Sequence, residues 1–346
     1  MVRRGSHPRL SVILIVEGSP SYAMRALESI QNQDLYDLQI VIACRDVAPG
    51  VRHSLEVAAG RDIHIDLIDV EGGARDACLR AGFDASRGSN IAVMNADEWF
   101  APHALAKMLD VACDGSADIV CPCVSLDRYD VHRERHSRVL DASGLAVEDR
   151  GSLGEGITQM VMNGLICQTS GVLYSRSVFE APLQCDAAFG MIAFSAAAVS
   201  RAQCIMGCGD ATFHAPAPSI TVSFDPTMFT RLSDDAKALD DLVEAVVPTG
   251  DNSRLVLACQ RFYYARLVAC IENLCLSPHG VSSIERTARL RDMLEAARTR
   301  KMAAALKGDH RGLGLLFGPI ASARPARCAM YTHLSAFFSR TGVKTA

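Results

Sequence analysis

Three clusters of ionisable side chains each stand directly after a strand-like run: Glu17 after Leu10–Val16, Cys44-Arg45-Asp46 after Leu38–Ala43, and Asn95-Ala96-Asp97-Glu98 after Asn90–Met94. Adjacent carboxylates such as Asp97 and Glu98 bind hard cations through oxygen or exchange protons with a bound molecule. Arg45 suits either a phosphate or a surface carboxylate. Other chemistries lack their residue pattern. There is no Gly-x-x-x-x-Gly-Lys loop, and no nucleophile elbow with an ordered Ser, Asp and His. Cys121-Pro122-Cys123, and Cys204 and Cys208 with His214, match no common zinc ladder. The string His132-Arg133-Glu134-Arg135-His136-Ser137-Arg138 is basic but carries no interleaved aromatics. It reads as a solvated loop, and nucleic acid is not an expected partner.

The elements that must position these residues alternate. Strands are predicted at Leu10–Val16, Leu38–Ala43, Ile63–Val70, Asn90–Met94 and Ala117–Cys121. Helices are predicted at Tyr22–Gln31, Gly50–Ala59, Asp76–Ser86 (closed by Gly88) and Pro102–Ala112. Such alternation implies right-handed βαβ units and a mostly parallel sheet flanked by helices. Ligands of such sheets lie beyond the carboxyl ends of the strands, which is where the three clusters fall. From about Asp225 the chain turns helical, over Leu232–Val246, Arg254–Leu274 and Val281–Leu306. Gly312–Pro319 then breaks the pattern before a short amphipathic end, Cys328–Phe338. The expected division is an α/β domain at 1–224 and a helical region at 225–346.

A chain of 346 residues with 49% hydrophobic and 21% charged residues is globular, which excludes a disordered or fibrous protein. No run of apolar residues is long enough for a spanning helix. Thirteen cysteines scattered without secretory features imply a reduced, cytoplasmic protein. The net charge of −4 hides an asymmetry, because Arg286–Ala346 holds twelve Lys or Arg against three Asp or Glu. Such a basic tail meets an anionic lipid surface or an acidic partner, or balances an acidic body.

Four segments, in order, resemble glycosyltransferase family 2 with its GT-A fold. Pro8–Leu14 with Ala26–Gln33 looks like the opening strand and helix, and Gly88–Phe100 like the strand entering the acidic metal motif. Thr169–Phe179 looks like the acceptor-side segment, and Phe213–Thr221 like the closing stretch. The resemblance implies a GT-A-like (Rossmann-like) nucleotide-sugar-binding domain using a divalent cation, Mn or Mg. Glu17, Arg45, Asp46, Asn95 and Asp97 would then face the nucleotide sugar, and Glu98, Trp99 and Ser170 the acceptor. Asp97 and His214 would serve the metal. Against each role stands a plainer one: Asp97 as a helix N-cap, Glu98 as first-turn decoration, Trp99 as packing, Glu17 as a loop acid, His214 as a strand-edge histidine.

The sequence also departs from the family. Asn95 replaces the first acid of the metal motif, and Met191-Ile192 stands where the family carries its Glu-Asp general base. A relocated base would have to come from elsewhere, with Glu155 or Asp186 as candidates. The leading expectation is transfer of a sugar from a nucleotide-diphosphate donor to a carbohydrate or lipid-linked acceptor in envelope or capsule polysaccharide synthesis. The basic tail would provide peripheral membrane contact. The alternative is a non-catalytic GT-A-like pseudoenzyme that binds nucleotide, glycan or a partner glycosyltransferase.

Overall fold

Leu10–Glu17 (β1) is apolar on both faces because it is the covered centre of a sheet: Val12, Ile13 and Leu14 are wholly buried. It is followed by α1 (Ala23–Gln31), β2 (Leu38–Arg45), α2 (Pro49–Arg61), β3 (Ile65–Asp69), α3 (Ala77–Ala85) and β4 (Asn90–Asn95). These strands form a parallel block in the order β3-β2-β1-β4, with Leu14 beside Ile42 on one side and Met94 on the other. Then come β5 (Trp99–Phe100), α4 (Ala104–Asp114), β6 (Ile119–Tyr129), β7 (Arg135–Leu140), β8 (Ala146–Val147) and α5 (Leu153–Asn163). The domain closes with β9 (Leu173–Ser175), α6 (Arg176–Gln184), α7 (Ile192–Arg201) and β10 (Ile205–Pro216). The sheet continues β4-β9-β6-β10-β5, with β7 on β6 and β8 on β10. Because β9 runs antiparallel between β4 and β6, this second half is mixed, and the whole is an α/β fold whose parallel part is its first half.

This computed structural model describes residues 8–72, 76–129, 134–185, 187–217, 224–246, 253–277, 281–309 and 311–341. Contacts divide the chain into two compact units, Met1–Pro218 with Asp241–Pro248, and Ser219–Asp240 with Thr249–Ala346. The second unit is built from the first part of α8 (Met228–Val246), whose residues from Asp241 on belong to the first unit, with α9 (Ser253–Leu276), α10 (Ser283–Glu295), α11 (Ala297–Leu306), α12 (Phe317–Ala321) and α13 (Pro325–Thr341). Its core gathers Leu232, Tyr263, Leu267, Ile271, Leu290 and Met302. Among the described residues no helix is long and apolar enough to cross a membrane.

Several predicted boundaries move for identifiable reasons. The strand expected to stop at Cys121 continues eight residues further, to Tyr129. Pro122 is tolerated because it sits opposite Cys208 where β10 bulges, the register jumping from Cys208 to Thr212. Arg135–Arg138, expected in a solvated loop, lies in β7 and pairs with β6, while His132 and Arg133 fall outside the described residues. The helix expected over Val281–Leu306 is broken at Ala296, whose extended backbone (φ −53°, ψ 135°) lets α10 and α11 each turn buried side chains inward. Gly88 is not the helix cap. That position is Ser86, and Gly88 lies against the Ser11 backbone, with its N–H donating to Ser11 Oγ at 2.8 Å.

Gly207 provides a direct test of the β10 packing. A Cβ there would stand 1.9 Å from the Ala142 carbonyl oxygen, a backbone atom that cannot rotate aside. Gly207→Ala is expected to destabilise the α/β unit by about 3 kcal/mol, read as a lower denaturant midpoint, while Gly60→Ala in open space serves as the neutral control.

Candidate functional site at the carboxyl ends of the parallel strands

The end of β4 folds into a tight turn. Glu98 N–H donates to the Asn95 carbonyl at 3.1 Å, and Asn95 returns its own N–H to Glu98 Oε2 at 2.7 Å and its side-chain amide to the same oxygen at 3.1 Å. Ser170 Oγ donates to Glu98 Oε1 at 2.7 Å, and Gln168 clamps Ser170 in turn. Glu98 is therefore a buried bracket, 7% exposed, rather than an acceptor contact, and Ser170 is its partner within the fold. Burial pushes the Glu98 carboxyl up to about 7, against the hydrogen bonds from Asn95 and Ser170 and with a further push from Asp97. Asp97 itself stands exposed at the turn. It is not a helix N-cap, because the chain enters β5 at Trp99 and the following helix starts only at Ala104, after His103.

The two-residue β5 pairs antiparallel with β10, which sets Trp99 opposite His214. Their rings stack at 4.9 Å and 7°, and the Arg25 guanidinium lies 3.6 Å from the centre of the indole. Trp99 thus holds both a cation and an imidazole. His214 Nδ1 is 2.9 Å from Asp127 Oδ2, while Ser125 and Ser137 donate to Asp127 Oδ1 at 2.8 and 2.5 Å. Burial pushes the Asp127 carboxyl up, but hydrogen bonds from Ser137, His214 and Ser125 outweigh it, leaving it below the usual carboxylate range.

A second region lies at the ends of β2 and β3. A cavity of about 350 Å³ is lined by Cys44, Asp46, Arg52, Asp69 and Gly72, among others. Arg52 Nη2 donates to Asp69 at 2.7 Å, and Arg52 Nη1 is buried without a hydrogen-bond partner among the described residues. Asp46 adopts φ 51°, a left-handed conformation that turns the chain sharply at the cavity rim. Arg45 and Glu17, register partners on β2 and β1, form an ion pair at 2.8 Å, so the arginine meets a carboxylate of its own chain. Glu17 and Arg45 also stand close enough to buried Cys78 to affect its thiol, which burial above all pushes up to about 11.

The structure brings together Asn95, Asp97, Glu98, Trp99, Ser170 and His214 at one end of the sheet, and places Asp46 at the β2–β3 cavity. At the positions expected for a general base there is no carboxylate. Met191 precedes α7, and Ile192 is 1% exposed in its first turn. Gly190 N–H bonds Thr169 Oγ1 at 3.1 Å, tying this turn to the segment that holds Glu98. Glu155 is an exposed residue in the first turn of α5, and Asp186 lies outside the described residues.

For a hard cation, the donor set comprises one exposed carboxylate, Asp97, and the second nitrogen of His214. Both Glu98 oxygens are already taken, and among the described residues no group of three His, Cys, Asp or Glu is placed to hold a metal. One or two carboxylates are what Mg²⁺ commonly takes from a protein when phosphates complete its shell, and Asp97 offers one, so the residues present suit a cation that arrives with a diphosphate, not a preformed cage.

Sequence reasoning missed Arg25, Arg52, Asp69 and Asp127. Asp69 ends β3 as Arg45 ends β2, so the same strand-end rule would have found it. Asp127 was hidden by Pro122, which reads as the end of its strand.

The sequence model of Glycosyl transferase family 2 matches residues 11–181, from β1 through most of α6. Over 175 residues the chain is 26% identical to the putative glycosyltransferase EpsH of Bacillus subtilis (strain 168), covering 50% of this chain and 49% of EpsH. The chain thus spans about half the length of that curated relative. Among solved structures, S. aureus TarS 1–349 in complex with UDP-GlcNAc superposes with a TM-score of 0.59 at 12% identity, over 98% of this chain and 93% of that one. The mannosyltransferase PcManGT from Pyrobaculum calidifontis, in complex with GDP-Man and Mn²⁺, gives 0.50 at 13% identity over 97% and 88%. At these identities the likeness is one of fold. His214 and the Met191-Ile192 turn lie beyond the matched segment.

Proposed function

Residues 11–181 form a glycosyltransferase family 2 domain with the GT-A fold, and from that premise we propose that the chain binds a nucleotide-diphosphate sugar across the carboxyl ends of β1, β2 and β4 and passes its sugar to a carbohydrate or lipid-linked acceptor. The observation that carries this reading is the exposed Asp97 carboxylate, held out on a turn that Glu98 locks from beneath. Beside β2 and β3, the cavity of about 350 Å³ has the size and the mixed donors and acceptors that suit a nucleobase, with Asp46 and Asp69 as acceptors and Arg52 as donor. Asp97 and His214 would hold a divalent cation, Mn or Mg. When bound, the cation supplies positive charge to the departing diphosphate. Arg45, already paired with Glu17, serves to stiffen the carboxyl end of the β1–β2 pair.

The favoured setting is envelope or capsule polysaccharide synthesis, with the basic helices α10–α13 lying on an anionic membrane near a lipid-linked acceptor. One observation favours a binding-only reading: Met191 and Ile192 cannot accept the acceptor's proton. The deciding experiment is calorimetric titration with UDP in the presence of Mn²⁺, followed by incubation with UDP-sugars and glycan acceptors. Saturable, EDTA-sensitive heat is expected, and its absence with UDP, GDP and their sugars alike would overturn the donor site. Arg52→Ala is expected to weaken UDP binding about tenfold with little change in metal dependence, because it removes a donor from the base cavity and not from the cation side. Heat without turnover of any donor would favour the pseudoenzyme.

A further inference from the structure

Asp127 has no role in the reading above, yet its surroundings are built for one. It lies near the end of β6, 5% exposed, with both oxygens engaged: Oδ1 by the hydroxyls of Ser125 and Ser137, Oδ2 by His214. Three groups converge on one carboxylate, and all three must donate, because an ionised carboxylate only accepts. The hydrogen on His214 is thereby assigned to Nδ1. In a neutral imidazole one nitrogen carries the hydrogen and the other a lone pair, so Nε2 becomes the acceptor. The ring cannot swing away, since Trp99 lies flat against it at 4.9 Å and Arg25 is drawn to the indole at 3.6 Å. His214 nevertheless keeps 16% side-chain exposure.

We propose that Asp127 is a positioning residue that holds His214 as the Nδ1–H tautomer, so that the Nε2 lone pair is kept ready for the cation that accompanies a nucleotide diphosphate. The inference rests on the donor-site reading for what Nε2 meets, but not for the tautomer itself. Without Asp127, an imidazole reverts to the Nε2–H form that it prefers in water, and an N–H cannot ligate a cation. Carboxylate partners of ligating histidines act in this way elsewhere, and their loss commonly costs 10–100-fold in metal affinity.

The test uses the full chain labelled with ¹⁵N-histidine and long-range ¹H–¹⁵N spectra at neutral pH, with the His214 signals identified by their loss in His214→Gln. The wild-type protein is expected to show a protonated Nδ1 and a bare Nε2. Finding Nε2–H, or an even mixture, in the wild-type protein overturns the proposal without any variant of Asp127. Asp127→Ala is expected to move the hydrogen to Nε2 and to weaken UDP binding in the presence of Mn²⁺ about tenfold while leaving metal-free UDP binding unchanged. A tautomer unaffected by Asp127→Ala also overturns it, whereas a purely structural role would alter the melting curve and leave the tautomer alone. A bare Nε2 that does not shift when UDP and Mg²⁺ are added sustains the positioning role and removes His214 from the donor site.

Discussion

Asp97→Ala is expected to lower the affinity for UDP in the presence of Mn²⁺ by about 100-fold, while leaving the fold intact. The asymmetry between these two effects follows from the turn. Asp97 is exposed, and the bonds that hold the turn come from Asn95, Glu98 and Ser170, so its removal alters stability by no more than about 0.5 kcal/mol. What disappears is the exposed carboxylate of the β4 turn, and among the described residues no group of three His, Cys, Asp or Glu is placed to hold a metal in its stead. Calorimetry of the variant with Mn²⁺ and with EDTA should give the same weak isotherm. A variant that binds as tightly as the wild-type protein, or one still strengthened by Mn²⁺, would remove Asp97 from the donor site.

The second large effect concerns Glu98 and has a definite sign. Its carboxyl is raised from the ordinary 4.5 to about 7 in the folded chain, chiefly by burial. Between those values the folded state holds a proton that the unfolded state has released, so stability falls as pH rises through the window. Ionised Glu98 accordingly costs about 3 kcal/mol above pH 7 relative to below 4.5. Glu98→Gln keeps an acceptor for Asn95 and can donate to Ser170, yet carries no charge. It is expected to equal the wild-type protein near pH 4.5 and to exceed its stability by about 3 kcal/mol above pH 7. Glu98→Ala leaves Asn95 and Ser170 unsatisfied and costs about 2 kcal/mol at low pH. Urea unfolding at several pH values measures all three, and parallel curves for the wild-type protein and Glu98→Gln would refute the assignment. Asp97 adds to the upward push on Glu98, so Asp97→Ala should also bring the Glu98 midpoint down.

How much of this was legible in the sequence depends on what decided each feature. The parallel half of the sheet follows from runs such as Leu10–Val16, whose apolar character on both faces suits only a covered strand, and the strand-end rule then led to Glu17, Arg45, Asp46 and Asp97. What failed needed partners from far along the chain. Glu98 reads as a solvent-facing acid beside Asp97, but Ser170, 72 residues away, and the Asn95 amide make a buried position tolerable. Asp127 is 87 residues from His214, and only the parallel pairing of β6 with β10 brings them together. Pro122 misled because a breaker in a strand is a breaker only if the partner strand is regular, and β10 is not. That Met191 and Ile192 offer no carboxylate, in contrast, was readable directly, since both are apolar in any environment.

The position of Trp99 has a practical consequence. It is the only tryptophan in 346 residues, and it is sandwiched into the cluster of Arg25 and His214 two residues from Asp97. Selectively excited indole emission therefore reports on a single place in the molecule, without labelling. Mn²⁺ arriving there would quench the emission by its paramagnetism and Mg²⁺ would not. The protein carries its own optical probe of the very loop on which the donor-site assignment depends.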